Sequence, residues 1–440
     1  MSPRPIRRQI HLNFHGNTAG EHAGAWTRDS ADAPADFVLD YYLRIARIAE
    51  RGLFDAVFFA NYLHLFEGGG RPPRPVIDPV VLASALSVLT ERIGFVATAS
   101  TTFNEPYNIA RSFGALDHVS RGRIGWNVVT TYDPHAARNF GLAALPERAD
   151  RYARADEFVT VVRRLWDSWG PDAVRPAPGG GAPQIDGSRI QHVQHEGRFF
   201  SVEGPAQLPR SRQGRPVLFQ AGGSAEGRAL AARHADAIFS IGLDLSDAQA
   251  YYRDVKDRVR AEGRDPDRVF VLPGVYLYLG GTVEEAERKR QSLLEKQTSR
   301  TLIVEQLAAR LGVEPADLDL DSPVPDHILD RAPERAASRG HTDALVALLR
   351  RERPTLREFL TRQPVGGPHR VVIGTPEQVA DTLEAWFVNR AADGFNIGNM
   401  TPDELEGFVE QVIPILQKRG LFRTGYEGDT LSAHYGLQGA

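Results

Sequence analysis

A run of hydrogen-bonding side chains follows an apolar segment near residue 130. The segment 124–129, IGWNVV, is typical of a buried strand. Buried strands normally end in turn residues, so a polar run at the carboxyl end of a strand indicates a ligand site. The polar positions are Asn127, Thr130, Thr131, Tyr132, His135, Arg138 and Asn139, and Gly141 ends the run.

Asn127 is the first candidate for contact with that ligand. Successive side chains of a strand point to opposite faces, so Trp126 and Asn127 lie on different sides. A buried amide needs hydrogen-bond partners, and a ligand with donor and acceptor positions would supply them. The alternative is a structural amide that is bonded to the neighbouring strands.

A second candidate site lies in the segment LFQAGGSAEGRAL. Gly222, Gly223 and Ser224 join a predicted strand directly to the N-terminus of a helix. Unpaired backbone N–H groups and the positive end of the helix dipole favour an anion there, and a phosphate fits. The alternative is a tight turn in which Ser224 only caps the helix.

The first predicted strand adds a third group of candidates. His11, Asn13 and His15 share one face of this strand by alternation, so they line the interior if the strand belongs to a barrel. His15 lies nearest the mouth, where it would hydrogen-bond a substrate or move protons near neutral pH. Phe14 and Trp26 are candidates for the wall of an apolar pocket. The alternative is that the histidines are satisfied by polar neighbours inside the barrel.

Several better-known motifs are absent. Glu226 stands where a nucleophile elbow, G-x-S-x-G, requires glycine, and the glycines at 222, 223 and 227 do not have the dinucleotide-binding spacing. The segment HVQHE at His192 is H-x-x-H-E rather than the zinc motif H-E-x-x-H, so no metal site is predicted.

Composition narrows the class of protein. The 440 residues carry a net charge of -4, which provides no basic field for nucleic acid or anionic membranes. The chain has no cysteine, so disulfides, thiolate metal sites and cysteine nucleophiles are excluded. No segment approaches the roughly 18 apolar residues that cross a bilayer, and the N-terminus does not resemble a signal peptide, so a cytoplasmic protein is expected.

The elements that must position these residues alternate as strand and helix, which predicts a parallel sheet with crossover helices. Eight such pairs predict a (β/α)8 TIM barrel, an α/β fold, as a single domain over residues 1–440. The predicted strands span 8–14, 54–60, 93–98, 124–129, 216–220, 237–241, 269–279 and 394–397. Predicted helices include 36–51, 148–169, 246–262 and 402–419, with others beginning near 79, 106, 224 and 374.

The alternation lapses after the seventh strand. Residues 282–369 read as polar helices without a clear strand, and we interpret them as a helical insertion before the seventh helix. Long insertions at the top of a barrel usually cover its mouth, so a lid is expected. Most of its arginines are expected on a solvated helix face, although some could meet an anionic substrate.

The sequence also resembles a known family over nearly its whole length. It is similar to the flavin-dependent monooxygenases of the nitrilotriacetate, pristinamycin-synthase and dibenzothiophene-sulfone type, a branch of the bacterial-luciferase-like superfamily. The matching segments are HLNFHG, FFAN, TTFNEPYNIARSFGALDHVSRGRIGWNVVT, RYARADEFVTVVRRLWDSW, QLPRSRQGRPVLFQAGGS, GTPEQVAD and DGFNI.

The resemblance implies an FMN site across the barrel mouth. Asn61, Thr98 and Asn127 would surround the isoalloxazine ring, while Tyr152 and the turn of Gly223 and Ser224 would hold the phosphate. Two positions depart from the family pattern: Asn61 replaces a frequent aspartate, and Arg148 replaces a frequent histidine four residues before the tyrosine. Both suit a flavin, since an amide forms hydrogen bonds and an arginine favours phosphate. Without the resemblance, Tyr152 reads as a half-buried surface phenol.

The resemblance further implies an activity. The protein would take FMNH2 from a separate NAD(P)H:flavin reductase, use O2 as co-substrate and insert one oxygen atom into a small organic substrate, in some relatives with C–N or C–S cleavage. Relatives of this type form homodimers or homotetramers. Two alternatives stay open: a deazaflavin-dependent oxidoreductase, and a protein that binds flavin without turnover.

Overall fold

The computed structural model describes residues 8–16, 39–65, 76–175, 177, 181–295, 300–335, 339–362 and 369–437. Its centre is a closed barrel of eight parallel strands with helices around it. The predicted fold is therefore confirmed. No helix in these ranges is both long and apolar enough to cross a membrane.

The strands follow the predicted order along the chain. They are β1 (His11–His15), β2 (Ala56–Phe59), β3 (Gly94–Ser100), β4 (Ile124–Val129), β5 (Val217–Gln220), β6 (Ala237–Ser240), β7 (Phe270–Leu279), β8 (Arg370–Gly374) and β9 (Gly394–Gly398). All of these strands except β8 form the barrel, which closes where β9 pairs with β1, for example Asn396 with Asn13. Two antiparallel pairs of two-residue strands, at 174–185 and 195–202, lie outside it.

Helices separate the barrel strands as predicted. They are α1 (Leu39–Arg51), α2 (Pro79–Ser87), α3 (Pro106–Val119), α4 (Pro134–Asn139), α5 (Arg148–Asp167), α6 (Ala225–His234), α7 (Leu245–Ala261), α8 (Val283–Glu295), α9 (Arg300–Leu311), α10 (Asp326–Arg335), α11 (Arg339–Glu352), α12 (Leu356–Arg362), α13 (Pro376–Val388), α14 (Pro402–Gln411), α15 (Ile413–Lys418) and α16 (Leu431–His434). Single 3-10 turns occur at Gly187–Arg189, Pro266–Arg268 and Pro315–Asp317.

Helix starts are set by local sequence. Thr375 caps α13 and exchanges hydrogen bonds with Gln378, while Pro376 occupies the first turn, where a missing N–H costs nothing. The predicted last helix, 402–419, is instead two helices that meet at Val412. Pro414 explains the break, because proline has no amide hydrogen to donate to the preceding turn.

Strand alternation divides the core into two parts. On β4, Trp126 packs outward among the helices in the main hydrophobic cluster, whereas Asn127 faces the barrel interior. The interior contains a smaller apolar cluster, which includes Phe58 and Phe219. Polar side chains such as Asn127 and Thr98 also face this interior.

The C-terminal segment closes the lower end of the barrel. The hydroxyl of Tyr435 donates to the Oδ1 atom of Asn13 at 2.9 Å, and its ring stacks on His11 at 4.6 Å between centroids. The guanidinium of Arg423 forms a buried ion pair with Asp55. Burial alone would raise the pKa of Asp55, but the nearby Arg423 and His11 outweigh it and hold the pKa at about 2.

The region after β7 is helical, as predicted, but it ends in a strand that the sequence analysis missed. Helices α8 to α12 lie between residues 283 and 362, and β8 then pairs with the last residues of β7, from Val275 to Leu279. The short strand RVVIG was not recognised because five residues give little periodicity.

Candidate functional site

Two neighbouring strands bring Thr98 and Asn127 together inside the upper barrel. The two residues are partners in the register of β3 and β4, and the Nδ2 atom of Asn127 donates to the Oγ1 atom of Thr98 at 2.9 Å. Asn127 is 3% exposed, and its Oδ1 atom has no hydrogen-bond partner among the residues that the structure describes. A buried acceptor without a donor is unfavourable, so the site is suited to a ligand that supplies an N–H or O–H group.

Asn61 joins this pair from the loop that follows β2. Its Nδ2 atom lies 3.4 Å from the backbone oxygen of Thr98, and its side chain is half-buried. The carboxyl ends of parallel strands meet at one edge, which explains why residues 37 positions apart converge. The three residues that the resemblance assigned to the ring therefore form one polar wall.

The residues of the predicted phosphate turn lie close together. The Oγ atom of Ser224 accepts from the backbone N–H of Gly227 at 3.1 Å and caps α6. The hydroxyl of Tyr152, near the start of α5, lies 3.5 Å from the same Oγ atom. The guanidinium of Arg148 lies 5.9 Å from the centre of the Tyr152 ring and 3.2 Å from a carboxylate oxygen of Glu226. The starts of α5 and α6 thus meet at one point, with an arginine beside it.

The insertion reaches this turn. A Cβ atom added to Gly223 would lie 2.9 Å from the Cα atom of Gly340 in α11, so the two backbones touch. The next residue, His341, has its ring 6.4 Å from that of Tyr132, which follows β4. Sequence reasoning missed both contacts, since nothing in the sequence of a helical insertion shows where its first turn will dock.

His15 lies in the upper interior, as its position on β1 predicted. Its ring is 5.8 Å from that of Phe58 and 5.5 Å from that of Phe239, both in edge-on contact. The Cβ atom of His15 would be 3.4 Å from a Cβ atom added to Gly398. Because Gly398 has no side chain, the histidine has space beside the mouth.

The other candidates of the first strand lie elsewhere. The Nδ1 atom of His11 is 3.1 Å from Asp55, and the Nδ2 atom of Asn13 donates to the Oδ1 atom of Asn396 at 3.0 Å. Both residues are therefore satisfied at the lower end of the barrel, away from the mouth. Phe14 packs in the main hydrophobic cluster, on the opposite face of β1 from His15. Trp26 lies outside the described residues.

His369 is a site residue that the sequence did not indicate. It stands just before β8 and returns into the barrel, where it stacks on Phe239 at 5.4 Å and meets the Tyr276 ring edge-on at 5.0 Å. A Cβ atom on Gly274 would lie 2.4 Å from its Nδ1 atom, so the imidazole occupies the space that this glycine leaves open. A lone histidine between the insertion and a short strand carries no motif by which to find it.

The imidazoles of His369 and His341 are neutral at ordinary pH. Burial lowers the pKa of His369 well below its usual value, and the positive charges of His341, His15 and Arg310 lower it further. Burial and the neighbouring Arg310 lower the pKa of His341 to about 4. A neutral imidazole both donates and accepts hydrogen bonds, so these side chains can bind a polar group or hold a proton.

A parallel eight-stranded barrel with polar side chains at its strand ends places the protein in the α/β-barrel class. Residues 12–394 match the model of the luciferase-like monooxygenase family. The chain belongs to this family, and it is a flavin-dependent monooxygenase. The resemblance that the sequence motifs indicated is confirmed.

Individual relatives support this assignment over the full length. Nitrilotriacetate monooxygenase component A of Aminobacter aminovorans is 39% identical over 98% of this chain and 97% of its own. The solved structure of EDTA monooxygenase from Chelativorans sp. BNC1 is 34% identical, with a TM-score of 0.79, and the match covers 98% of this chain and 99% of that one. A riboflavin lyase, solved with modified FMN and riboflavin, is 30% identical, with a TM-score of 0.84 and coverage of 98% and 96%.

Proposed function

We propose that this protein is the oxygenating component of a two-component system that uses FMNH2 and O2 to insert one oxygen atom into a small organic substrate. The proposal rests on two features at the ends of the neighbouring strands β4 and β5. The first is the buried Oδ1 atom of Asn127, which has no hydrogen-bond partner among the described residues, and the second is the turn at Ser224. A flavin mononucleotide has ring N–H groups that would donate to the Asn127 oxygen, and it has a phosphate that would bind at the Ser224 turn.

The chain's residues fit such a cofactor. Asn127, Thr98 and Asn61 would contact the ring, and the Oδ1 atom of Asn127 would accept from a ring N–H. Ser224, Tyr152 and Arg148 would hold the phosphate, together with the backbone N–H groups at the start of α6. Gly223 has no side chain, so the backbone can approach the phosphate closely.

When bound, reduced flavin supplies the two electrons with which one oxygen atom is transferred to the substrate while the other leaves as water. His15 has its imidazole at the upper interior, where it would donate a hydrogen bond to the reacting oxygen and exchange a proton with it. Phe58, Phe239 and Tyr276 would exclude water from the same space.

The helical insertion would act as a lid over this site. Its helix α11 contacts the anion turn through Gly340 and approaches Tyr132 through His341. A cover that rests on the phosphate turn would keep water from the reduced flavin once the flavin has bound. Reduced flavin would arrive from a separate NAD(P)H:flavin reductase; the relative from Aminobacter aminovorans is itself called component A.

Anaerobic titration tests the cofactor. The protein should bind FMNH2 more tightly than FMN, and both more tightly than riboflavin, which lacks the phosphate. The variants R148Q and Y152F should lose about ten-fold or more in affinity for FMN but little for riboflavin, because a charge-assisted hydrogen bond is worth about 1.5–3 kcal/mol. The matched control is R198Q, since Arg198 is an exposed arginine that pairs with Asp150 on α5.

Oxygen consumption tests the reaction. With photoreduced FMN and a panel of small organic substrates, O2 uptake should be accompanied by an oxygenated product. Hydride transfer to a deazaflavin without O2 uptake, or tight flavin binding without any turnover over a broad panel, would contradict the proposal.

A further inference from the structure

The turn of Gly222, Gly223 and Ser224 is held by a side chain from another helix. The backbone oxygen of Gly222 accepts a hydrogen bond from the hydroxyl of Tyr251, in α7, at 2.7 Å. Tyr251 lies 29 positions later in the chain, in the helix that follows the next barrel strand, β6. A residue that follows one strand therefore fixes the backbone that follows the strand before it.

The ring of Tyr251 is itself fixed between two helices. It packs against the apolar cluster that α6 and α7 share, and the guanidinium of Arg228, in α6, lies 5.8 Å from the centre of the ring. Arg228 also forms an ion pair with Asp254, in α7, at 3.2 Å. Burial raises the pKa of Tyr251 above its ordinary value, so the hydroxyl keeps its proton and remains a donor.

Fixing the oxygen of Gly222 also fixes the N–H of Gly223. The two atoms belong to one planar trans peptide group, in which the N–H points away from the carbonyl oxygen. Helix α6 lies between α5 and α7, and the oxygen points to α7, so the N–H faces the side of α5. The proposed phosphate ligands Tyr152 and Arg148 lie on that side. Within the described residues the N–H of Gly223 makes no hydrogen bond.

A peptide between two glycines needs such a restraint. Its rotation reverses the directions of the oxygen and the N–H, and it changes only torsions of Gly222 and Gly223, for which glycine imposes little steric cost. The rotated peptide would present a carbonyl oxygen to an anion where the observed peptide presents an N–H. Rotation breaks the hydrogen bond from Tyr251, so this hydroxyl favours the orientation that suits a phosphate.

We propose that Tyr251 is a positioning residue for the flavin phosphate: its hydroxyl holds the oxygen of Gly222 so that the N–H of Gly223 faces the phosphate. This inference rests on the proposed function, which places the phosphate at this turn. Tyr251 acts through the backbone and does not touch the cofactor. It raises the fraction of molecules whose turn is ready to bind, and the apparent affinity rises with that fraction.

The variant Y251F tests this role, because it removes one oxygen atom and keeps the ring. FMN and riboflavin are titrated into the wild type and the variant, and binding is followed by the change in flavin fluorescence. The wild type should bind FMN at least about ten-fold more tightly than riboflavin. In Y251F the affinity for FMN should fall about three- to ten-fold, while that for riboflavin should stay within about two-fold.

Tyr252 provides a matched control on the same helix. Its hydroxyl donates to the buried carboxylate of Asp393 at 2.8 Å and not to the turn. Because a hydrogen bond to a charged group is stronger than one to a neutral carbonyl, Y252F should lose more stability in urea denaturation than Y251F does. Y252F should nevertheless keep the wild-type affinities for FMN and for riboflavin. The order of the two variants in stability is therefore opposite to their order in FMN affinity.

An unchanged affinity for FMN in Y251F would overturn the inference and leave the proposed function standing. Equal losses for FMN and riboflavin in Y251F would also overturn it, since the hydroxyl would then act on the fold and not on the phosphate. A loss of FMN affinity in Y252F as large as in Y251F has the same meaning. Failure of the wild type to bind FMN would instead contradict the proposed function, and the inference would fall with it.

Discussion

Gly223 and Gly340 touch backbone to backbone: a Cβ atom on the first would lie 2.9 Å from the Cα atom of the second. One residue belongs to the anion turn and the other to the first turn of an insertion helix more than 100 positions later. The contact ties the proposed lid to the proposed phosphate site. Occupancy of the turn and the position of α11 are therefore expected to change together.

Substitution of Gly223 by alanine tests this contact. The added methyl group meets backbone atoms, which cannot move aside as a flexible side chain can, so G223A should weaken FMN binding at least ten-fold and destabilise the protein by about 1–3 kcal/mol. Fluorescence titration and urea denaturation measure the two effects. The control is G187A, because a Cβ atom at Gly187 would meet no atom of the described residues within 4 Å. An unchanged FMN affinity in G223A would show that the turn does not hold the phosphate.

The amide of Asn127 is expected to contribute to flavin affinity rather than to stability. In N127L the unpaired Oδ1 atom is removed along with the hydrogen bond to Thr98, so FMN affinity should fall by about three- to ten-fold, as for one neutral hydrogen bond. N389A is the control, since Asn389 is an exposed residue whose side chain donates to the backbone oxygen of Ala385 in its own helix. Equal losses in the two variants would point to a structural role for Asn127.

The buried ion pair of Arg423 and Asp55 should contribute far more to the free energy of unfolding than a surface ion pair does. In R423M the buried carboxylate of Asp55 loses its main counter-charge, and such a loss costs about 3–5 kcal/mol. In R419Q the lost partners, Asp381 and Glu384, are at the surface, so the expected cost is below about 1 kcal/mol. Urea denaturation at pH 7 compares the variants, and similar costs would contradict the assignment.

Because of the buried carboxyl of Asp117, the free energy of unfolding should fall as the pH rises. Burial raises the pKa of its carboxyl to about 7, although hydrogen bonds from Ser211, Gln213 and the backbone of Ile124 oppose the shift. A folded pKa above the unfolded one means that the stabilisation is fully present below the unfolded value of 3.8 and is lost as the pH rises through about 7.

The variant D117N removes this titration. Between pH 5 and pH 8 the wild type should therefore lose up to about 3 kcal/mol relative to D117N in urea denaturation. The control is D172N, because Asp172 is an exposed aspartate that forms a surface pair with Arg189. Parallel stability profiles of wild type and D117N would show that Asp117 is ionised throughout this range.

The barrel was predictable because its strands are short, apolar and separated by capped helices. The bounds of β4 were predicted without error, and the other barrel strands differ from the prediction by a few residues at their ends. Strand β8 was missed, since its partner is the overhanging end of β7 and a run of five residues does not reveal such a partner. The sequence analysis predicted one helix over 402–419 and did not predict a break at Pro414, because the amphipathic spacing continues across this proline.

The candidate site was predictable only where a strand end or a turn carries its own signal. Asn127 and Ser224 could be identified from alternation and from the glycine turn, respectively. His369 and Gly340 could not, because their places depend on how the insertion packs against the barrel. His11 and Asn13 share the predicted face but belong to the lower end, since alternation gives the face of a residue and not its depth.

The hydrogen bond from Tyr435 to Asn13 joins residues 422 positions apart, one in β1 and one directly after α16. Asn13 is synthesised long before Tyr435. The lower end of the barrel therefore cannot close completely until Tyr435 has been added to the chain. A chain that stops after α15 would leave Asn13, His11 and Asp55 open to water. Tags or fusions at the carboxyl terminus are for this reason expected to disturb production of the folded protein more than those placed at loops around the mouth.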